Sequence, residues 1–313
     1  MPLPHVTILM CTRNGAPFIE AQLGSLDGQS HGDWSMLVAD DRSGDATAAI
    51  VDNWIAGAGA GRARRVNVDG HGIAANYLEL LARTGPEDGA IAFCDQDDIW
   101  LPHKLQRALD RLAVVPRPDL PAAYACRSLV FHGHPGDAHP SRAPRRPPGF
   151  GNAMVQNILG GHALVLNAAA AALLRETVPA AVAARVPFHD WWAYLVLSGA
   201  GAHIVLDDEP GVLYRQHGAN VLGDNQGPRA ALTRARMIAA RRYRGWLDRN
   251  FAGLEASAAT LTPQNAAQLR RVVAWRARRG LPRLLYGPGR LGLYRQGVID
   301  GIALSVMART GWM

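Results

Sequence analysis

The sequence predicts an α/β fold with a mostly parallel sheet and flanking helices, extended by a helical C-terminal region. Apolar segments of strand length alternate with segments of helical periodicity through the first hundred residues, which is typical of parallel strands joined by right-handed crossovers. The 313 residues are 48% hydrophobic and can bury a substantial core. After residue 223 the sequence becomes rich in alanine and arginine, so we divide the chain into 1–223 and 224–313.

Six mostly apolar segments predict the strands, since buried strands are short and rich in β-branched residues. In chain order they are 6–10, 35–39, 65–68, 90–94, 163–167 and 203–206. Ligands of parallel sheets bind beyond the carboxyl ends of the strands. Asp40 and Asp41 follow the second strand, and Asp95-Gln96-Asp97-Asp98 follows the fourth. We therefore expect both acidic clusters at the ligand-binding edge of the sheet.

Helical spacing between these strands predicts the crossover helices. The first carries apolar residues at 19, 23 and 26. Ser43 or Asp45 can cap the second by accepting from backbone amides of its first turn. A short third helix is expected around 77–81 and a fourth near Lys104. The segment 135–151 is dense in Pro, Gly, Arg and His and is predicted to be a loop.

The cysteines and the hydropathy pattern indicate where the protein works. Cys11, Cys94 and Cys126 show no metal-ligand spacing, so we expect buried, reduced thiols as in cytosolic proteins. The first strand begins almost at the N-terminus, which leaves no room for a signal peptide. No apolar stretch is long enough to span a bilayer. We therefore expect a cytoplasmic protein, soluble or held peripherally at the inner face of the cell membrane.

Positive charge is concentrated in the C-terminal region. The chain has a net charge of +7, but sixteen arginines after residue 224 stand against three acidic residues, which leaves −6 for the rest. Interleaved with Trp246, Trp275, Tyr286 and Leu293, these arginines resemble a basic amphipathic surface that lies on an anionic membrane. The alternative is a solvated helical face. Nucleic acid is not expected as a partner, because it would leave the acidic clusters unexplained.

The cluster Asp95-Gln96-Asp97-Asp98 predicts a divalent cation site. Neighbouring carboxylates repel each other unless a cation neutralises them. Mg²⁺ and Mn²⁺ suit carboxylate ligands, and Mg²⁺ typically takes one or two of them together with phosphate oxygens. An acidic turn, or Asp98 capping the helix near Lys104, would explain the same residues without a metal. The cluster follows a predicted buried strand, which makes it more specific than two aspartates alone.

A set of motifs in fixed order resembles the inverting glycosyltransferases of family 2. The match runs from about residue 6 to about 222 and includes Thr12-Arg13-Asn14-Gly15, Ala39-Asp40-Asp41-Arg42-Ser43-Gly44-Asp45, Gly72 with Asn76, Asp95-Gln96-Asp97-Asp98-Ile99-Trp100, His189-Asp190-Trp191-Trp192 and Tyr214-Arg215-Gln216-His217-Gly218-Ala219-Asn220. The last three motifs together look most like the bacterial rhamnosyltransferase-like branch. The resemblance implies a GT-A (nucleotide-diphospho-sugar transferase) fold, a dTDP- or UDP-linked sugar donor, and Mg²⁺ or Mn²⁺.

The resemblance also implies the residues of the donor site. Those placed at the nucleotide are Thr12, Arg13, Asn14, Asp40, Asp41, Ser43 and Asn76. Asp41 would accept a hydrogen bond from the base, although it could instead cap the following helix. Asp95 and Asp97 would bracket the ribose and the cation, with Asp97 as the direct ligand. His217 would complete the metal site or contact the diphosphate, and Arg215 would pair with the phosphates.

The motif His189-Asp190-Trp191-Trp192 is implied to carry the catalytic base. Transfer with inversion needs one group that removes the proton of the acceptor hydroxyl, and Asp190 holds that position in the motif. Trp191 and Trp192 would offer faces on which a sugar stacks and would raise the pKa of Asp190 by desolvation. Alternatively, the tryptophans belong to the core and Asp190 caps their helix. His162, after two glycines, is a further acceptor-side candidate.

These inferences predict an enzyme that moves a sugar from a nucleoside diphosphate to a hydroxyl of a bacterial cell-surface glycan or lipid-linked acceptor. L-Rhamnose from dTDP is the donor that the resemblance suggests, and another nucleotide-linked hexose is the alternative. A sugar-nucleotide nucleotidyltransferase would also use an α/β sheet and Mg²⁺. It requires a glycine-rich loop with Arg and Lys after the first strand, where this chain has Arg13 and Gly15, and its single lysine is Lys104.

Overall fold

A computed structural model of the protein describes residues 3–69, 72–115, 117, 119–217, 242–278, 287–310 and 313. The strands among them are β1 (Val6–Thr12), β2 (Trp34–Asp40), β3 (Ala63–Val66), β4 (Ala90–Asp95), β5 (Ile99–Trp100), β6 (Ala122–Phe131), β7 (His139–Pro140), β8 (Leu164–Leu166) and β9 (His203–Arg215). They form one sheet in the order β3-β2-β1-β4-β8-β6-β9-β5, with β7 paired to β6.

One half of the sheet is parallel and carries the acidic clusters. β1 lies between β2 and β4, all three run in the same direction, and β3 adds in parallel to β2. In this register Thr12 is opposite Asp40, and Cys11 is opposite Asp95. The carboxyl ends of β1, β2 and β4 therefore meet at one edge, and both acidic clusters lie there.

The other half differs from the prediction of a mostly parallel sheet. β8 runs antiparallel to both β4 and β6, and β6, a strand that we did not predict, pairs in parallel with β9. β9 is longer than the predicted 203–206, because it continues past an irregular register at Pro210 and pairs with β5, Leu213 opposite Ile99. This pairing brings the end of β9 beside the acidic turn that follows β4.

The described α-helices are α1 (Ile19–Asp27), α2 (Thr47–Ala56), α3 (Ile73–Ala82), α4 (Lys104–Ala113), α5 (Phe150–Ala153), α6 (Ala168–Ala183), α7 (His189–Gly199), α8 (Arg242–Ala256), α9 (Pro263–Ala277) and α10 (Val298–Thr310). Of the two alternatives for the α2 cap, the structure shows Asp45, and the predicted cap by Asp98 is corrected. The Ser43 hydroxyl donates to Asp40, and it is the Asp45 carboxylate that accepts from the N–H of Thr47 in α2 at 3.0 Å. Asp98 does not cap α4 but accepts from the backbone N–H of Arg215.

Two hydrophobic clusters fill the opposite faces of the sheet. Leu9 and Cys11 of β1 belong to one cluster and Ile8 and Met10 to the other, as the alternation of side chains in a strand requires. The first cluster includes side chains of α3, α6 and α7, and also of α8, α9 and α10. The C-terminal helices therefore share one continuous core with the helix that carries Asp190. All three cysteines are buried and free, as predicted.

Two residues that we assigned to a membrane-facing surface are buried in this core instead. Trp275 is 3% exposed and Leu293 4%, and both belong to the cluster that contains α7. Trp246 packs edge-on against Phe188 with ring centroids 5.1 Å apart. Tyr286 and the boundary at residue 223 lie outside the described residues. None of the described helices is long and apolar enough to cross a bilayer.

The segment that precedes α10 holds the predicted loop 135–151 in place. The side-chain oxygen Oε1 of Gln296 accepts from the backbone N–H groups of Arg145 and Arg146, at 2.9 and 2.8 Å. The backbone N–H of Gln296 donates to Oε1 of Gln156 at 2.8 Å. The end of this loop is therefore fixed by hydrogen bonds from the C-terminal region.

An ion pair with one buried partner joins α4 to β9 and provides a test of the fold. Asp207 is buried and accepts from Nε and Nη2 of Arg107 at 2.6 and 2.9 Å. We expect Arg107→Ala to lower the free energy of unfolding by about 1–3 kcal/mol, because the buried carboxylate loses its charged donor. Urea denaturation measures this change. Arg117→Ala, at an exposed arginine, should stay within about 0.5 kcal/mol of the wild type, and equal losses in both variants would contradict the assignment.

Candidate active site

Hydrogen bonds of side chains join two loops at the carboxyl edge of the sheet. Thr12 ends β1, and its hydroxyl donates to Oδ1 of Asp40 at 2.8 Å. Asn14 has a left-handed φ of 49°, donates its N–H to Oγ of Ser43 at 2.9 Å, and accepts from Gly44 at 2.8 Å. Asp40 also accepts from the N–H and the hydroxyl of Ser43. Four predicted donor-site residues thus lie together in one pair of loops.

Gln96 connects these loops to the acidic turn, a role that the sequence motif alone does not predict. Its Oε1 accepts from the N–H of Arg13, and its Nε2 donates to the Arg13 carbonyl, both at 2.9 Å. A Cβ on Gly15 would lie 2.2 Å from Oε1 of Gln96, so a larger residue there would displace the Gln96 amide from these two bonds. The Arg13 side chain is largely exposed, with Nη1 lying 3.3 Å from Oδ2 of the buried Asp41.

The turn after β4 places carboxylates close together. Asp95 accepts from the Tyr77 hydroxyl at 3.1 Å, and burial together with the charge of Asp97 raises the pKa of Asp95 to about 7. Asp98 is fully buried, and its Oδ1 accepts from the N–H of Arg215 at 3.1 Å. Within the described chain its Oδ2 has no hydrogen-bond partner. Burial and the charge of Asp95 also raise the pKa of Asp98. A cation at this turn would stabilise the ionised form of both carboxylates.

Two histidines lie against this turn. One possible ligand atom each from Asp95, Asp98 and His162 falls within 4.8 Å of the others. Nε2 of His217 lies 2.8 Å from Oδ2 of Asp97. Our predicted ligands were Asp95, Asp97 and His217. The structure pairs the last two and groups Asp95 with His162, which the sequence placed on the acceptor side.

The donor set fits a divalent cation. Carboxylate oxygens are suitable ligands for Mg²⁺ or Mn²⁺, and the unpartnered Oδ2 of Asp98 is an available acceptor. Burial lowers the pKa of His162 to about 3, so its ring is neutral at physiological pH, as metal coordination requires. The ring is oriented by Ser128, whose Oγ lies 2.8 Å from Nε2, and by stacking on Tyr214.

Lys104 is a buried cation that the sequence analysis did not place in the site. Its Nζ donates to the His162 carbonyl at 2.7 Å and lies 3.1 Å from the centroid of the Trp100 ring. Burial lowers the pKa of Lys104 to about 8, and the nearby cysteines and aspartates oppose that decrease. The ammonium therefore remains charged at neutral pH and offsets part of the negative charge of the turn. The sequence signal was only that the chain has a single lysine.

Arg215 and His217 approach the same turn from the end of β9. Nε of Arg215 donates to the Asp97 carbonyl at 3.0 Å, and its guanidinium lies 4.7 Å from the ring centroid of Phe131. The His217 ring stacks on Phe18 with centroids 4.5 Å apart. Phosphate pairing by Arg215 stays a prediction.

Asp190 lies in the first turn of α7 and is held by backbone donors. Its Oδ2 accepts from the N–H of Gly161 at 3.1 Å, and its Oδ1 from the N–H of Trp191 at 2.6 Å. The side chain is partly exposed but closely surrounded by protein, and this desolvation raises the pKa of Asp190 to about 6. The hydrogen bonds from Gly161 and Trp191, and a third from the Asn157 side chain, favour the carboxylate and oppose that increase. Its charge also helps to raise the pKa of Asp95, so the two carboxylates share one neighbourhood.

The glycine before His162 is explained by this neighbourhood. A Cβ on Gly161 would lie 2.8 Å from Nε2 of His189 and 3.5 Å from Cβ of Asp190. His189 is itself buried and stacks on Tyr77 with ring centroids 3.9 Å apart, and burial lowers the pKa of His189 to about 3. The small residue at position 161 is therefore explained by the close approach of this loop to α7.

The predicted sugar-stacking role of Trp191 and Trp192 is corrected by their burial. Trp192 has no exposed surface, and its indole N–H donates to Thr177 of α6 at 3.0 Å. Trp191 is 4% exposed and donates to the Ala153 carbonyl at 2.6 Å. Both rings belong to the core, so neither offers a face to a sugar. Asn76 is also buried, and within the described chain its Nδ2 has no hydrogen-bond partner.

An α/β sheet with an acidic turn at its carboxyl edge is typical of enzymes that act on nucleotide sugars, and the match to a family model identifies the class as the glycosyltransferases. The model of glycosyl transferase family 2 matches residues 7–175, and the chain belongs to this family. The dTDP-rhamnosyl transferase RfbG of Shigella flexneri is 26% identical over 242 residues, which cover 75% of this chain and 81% of RfbG. The family predicted from the motifs is therefore confirmed.

Solved structures with low sequence identity share the fold. Residues 1–349 of S. aureus TarS in complex with UDP superpose with a TM-score of 0.53 at 13% identity, over 87% of this chain and 71% of that one. The mannosyltransferase PcManGT from Pyrobaculum calidifontis, in complex with GDP-Man and Mn²⁺, gives 0.51 at 19% identity, over 98% and 88%. The predicted GT-A fold is confirmed, with a mixed sheet.

Proposed function

We propose that this glycosyltransferase is inverting and metal-dependent, and that it moves L-rhamnose from dTDP-rhamnose to a hydroxyl of a bacterial cell-surface glycan or lipid-linked acceptor. The similarity to RfbG supports the donor. The observation that carries the mechanism is Asp190, a carboxylate with a pKa of about 6 that is partly exposed and close enough to Asp95 to affect its ionisation.

In this proposal the nucleotide is bound by the two hydrogen-bonded loops that follow β1 and β2. Thr12, Asn14 and Ser43 shape a rigid wall, and the buried carboxylate of Asp41 accepts from the imide of thymine. A buried acceptor discriminates strongly, since a base without the matching donor leaves it unpaired. Arg13, largely exposed and anchored through Gln96, lies where it can close over the nucleotide.

The chemistry assigns one proton transfer to the protein. Asp190 accepts the proton of the acceptor hydroxyl as that oxygen attacks the anomeric carbon from the face opposite the diphosphate. Asp97, Asp95 and a histidine would hold a Mg²⁺ or Mn²⁺ ion, which when bound would supply Lewis-acid stabilisation of the diphosphate leaving group. The N–H groups of Gly161 and Trp191 fix the carboxylate for this step. We place the enzyme in the cytoplasm, with peripheral contact to the inner face of the membrane through its C-terminal arginines.

The donor is tested by transfer and binding assays with a panel of nucleotide sugars. We expect dTDP-rhamnose to be preferred over UDP-glucose, UDP-N-acetylglucosamine and GDP-mannose in the presence of Mn²⁺. The anomeric configuration of the product, read by NMR, tests inversion. Preference for another hexose would replace the donor and keep the mechanism, whereas a product with retained configuration would refute the role of Asp190.

The activity should depend on pH through Asp190. The base must be ionised, and the pKa of Asp190 is raised to about 6, so kcat/KM should fall as pH decreases through about 6 and level off above it. Asn157→Ala removes a hydrogen bond that favours the carboxylate, so the midpoint should move to higher pH. Asn53→Ala, on the exposed side of α2, serves as the control. An unchanged midpoint in Asn157→Ala would contradict the link.

A further inference from the structure

The C-terminal helix α10 presents an apolar stripe to solvent. Seven large hydrophobic side chains are exposed among the described residues, and four of them lie on α10: Val298, Ile299, Ile302 and Val306, at 76, 82, 61 and 52%. At about 100° per residue they fall within a stripe about 100° wide. A contiguous exposed apolar patch indicates an interaction site, whereas single exposed hydrophobic residues are normal on protein surfaces.

The opposite side of α10 is anchored in the core. Leu304, Met307 and Ala308 are buried in the cluster that contains α7. The segment leading into the helix is fixed by the hydrogen bonds of Gln296 to residues 145, 146 and 156. The stripe is therefore displayed by a packed element with a fixed orientation.

A basic cavity adjoins the N-terminal end of the stripe. It encloses ≈ 240 Å³ and is lined by Arg146, Arg295, Tyr294, Val298 and Ser305, among others, with no acidic side chain in its described lining. The Arg146 guanidinium lies 4.0 Å from the centroid of the Tyr294 ring. Nε of Arg295 is buried and has no hydrogen-bond partner in the described chain. The cavity therefore offers cationic donors to an anion, directly beside an apolar surface.

We propose that the α10 stripe and this cavity together form the surface by which the protein docks on an anionic lipid bilayer. Arginines beside an apolar helix face match the headgroup and acyl-chain regions of one leaflet of such a bilayer. Lipid phosphates would lie at the guanidinium groups, and acyl chains would pack against the valine and isoleucine side chains. This inference rests on the membrane contact in the proposed function and locates it on α10, away from the buried Trp275 and Leu293.

The docking surface is connected to the acceptor side of the site. Gln296 bonds to Gln156, and the next residue, Asn157, hydrogen-bonds to Asp190. A bilayer against α10 would thus lie near the wall that holds the proposed base.

Vesicle co-sedimentation of the full chain tests the surface. We expect binding to vesicles of phosphatidylcholine with phosphatidylglycerol, and weak binding to pure phosphatidylcholine. The double variant Ile299→Ser with Ile302→Ser should reduce binding at least about tenfold, and Arg146→Gln with Arg295→Gln should remove the preference for the anionic lipid. Matched controls are Val114→Ser with Val182→Ser and Arg64→Gln with Arg117→Gln, exposed residues on other elements, which should bind as the wild type does.

Three outcomes would overturn the proposal. Wild-type protein that ignores anionic vesicles at low salt would do so, as would control variants that lose binding equally. Gel filtration detects a second copy as the occupant: a change of oligomeric state in the isoleucine variant with unchanged vesicle binding would make the stripe a subunit interface. Nucleotide binding is measured in the same variants. Loss of vesicle binding with intact nucleotide binding supports the surface, and failure of sugar transfer with intact vesicle binding would count against the proposed function alone.

Discussion

Asp190→Asn should transfer sugar at least about a hundredfold more slowly than the wild type, which is the usual scale for loss of a general base. The amide keeps the shape of the side chain and an oxygen that can accept from Gly161 or Trp191, so the fold and donor binding should change little. Single-turnover kinetics with saturating donor measures the loss, and calorimetry measures nucleotide affinity.

Asp110→Asn is the matched control, since Asp110 is exposed on α4 and should retain wild-type turnover. Turnover of Asp190→Asn within a few-fold of the wild type would contradict the proposed base. The next candidate for the base would then be His189, the neighbouring titratable group, although its burial makes it difficult for an acceptor to reach.

Removal of the divalent cation should have the second large effect. We expect a chelator to weaken binding of the nucleoside diphosphate at least about tenfold, equivalent to about 1.4 kcal/mol. Asp97→Asn should abolish most of this difference, because one charge leaves the site. Calorimetry with and without Mn²⁺ makes the measurement, and equal affinities of the wild type in both conditions would refute metal dependence.

The geometry offers two histidines, and their variants separate the two arrangements. His217 lies 2.8 Å from Asp97, whereas His162 groups with Asp95 and Asp98. Under our prediction His217→Gln weakens Mn²⁺ binding, and His162→Gln has the smaller effect. The reverse order would move the metal to the Asp95, Asp98 and His162 group. His103→Gln serves as the control, because His103 bonds to the Pro210 carbonyl away from the carboxylates.

The parallel half of the fold was predictable because its strands are continuous apolar segments. Residues 6–10, 35–39 and 90–94 each fall inside an observed strand, and the acidic clusters follow directly. β6 was not predicted because its first half is rich in alanine and its apolar pattern is interrupted at Arg127 and Ser128, and its position depends on pairing with β8 and β9. The second half of β9 escaped because Pro210 and Gly211 predict a break, which the irregular register accommodates.

The candidate site was predictable where its residues directly follow strands with a clear apolar pattern, and less so where the strands that carry them lack that pattern. Thr12, Asn14, Asp40 and Ser43 come together because β1 and β2 pair in register. His162 reaches Asp95 because β8 pairs with β4, a contact that local patterns do not encode. The burial of Lys104 and Trp192 could not be predicted from their residue types, because it depends on how the helices pack against the sheet.

The hydrogen bonds of Gln296 also limit how this enzyme can be recombined with relatives. Because Gln296 holds residues 145, 146 and 156, and Asn157 contacts Asp190, the C-terminal helices and the acceptor-side wall form one unit of exchange. A chimera that joins a foreign C-terminal region after residue 217 would lose those bonds and expose the apolar surface beneath α8. A functional swap has to carry residues 145–157 together with the helices that bind them.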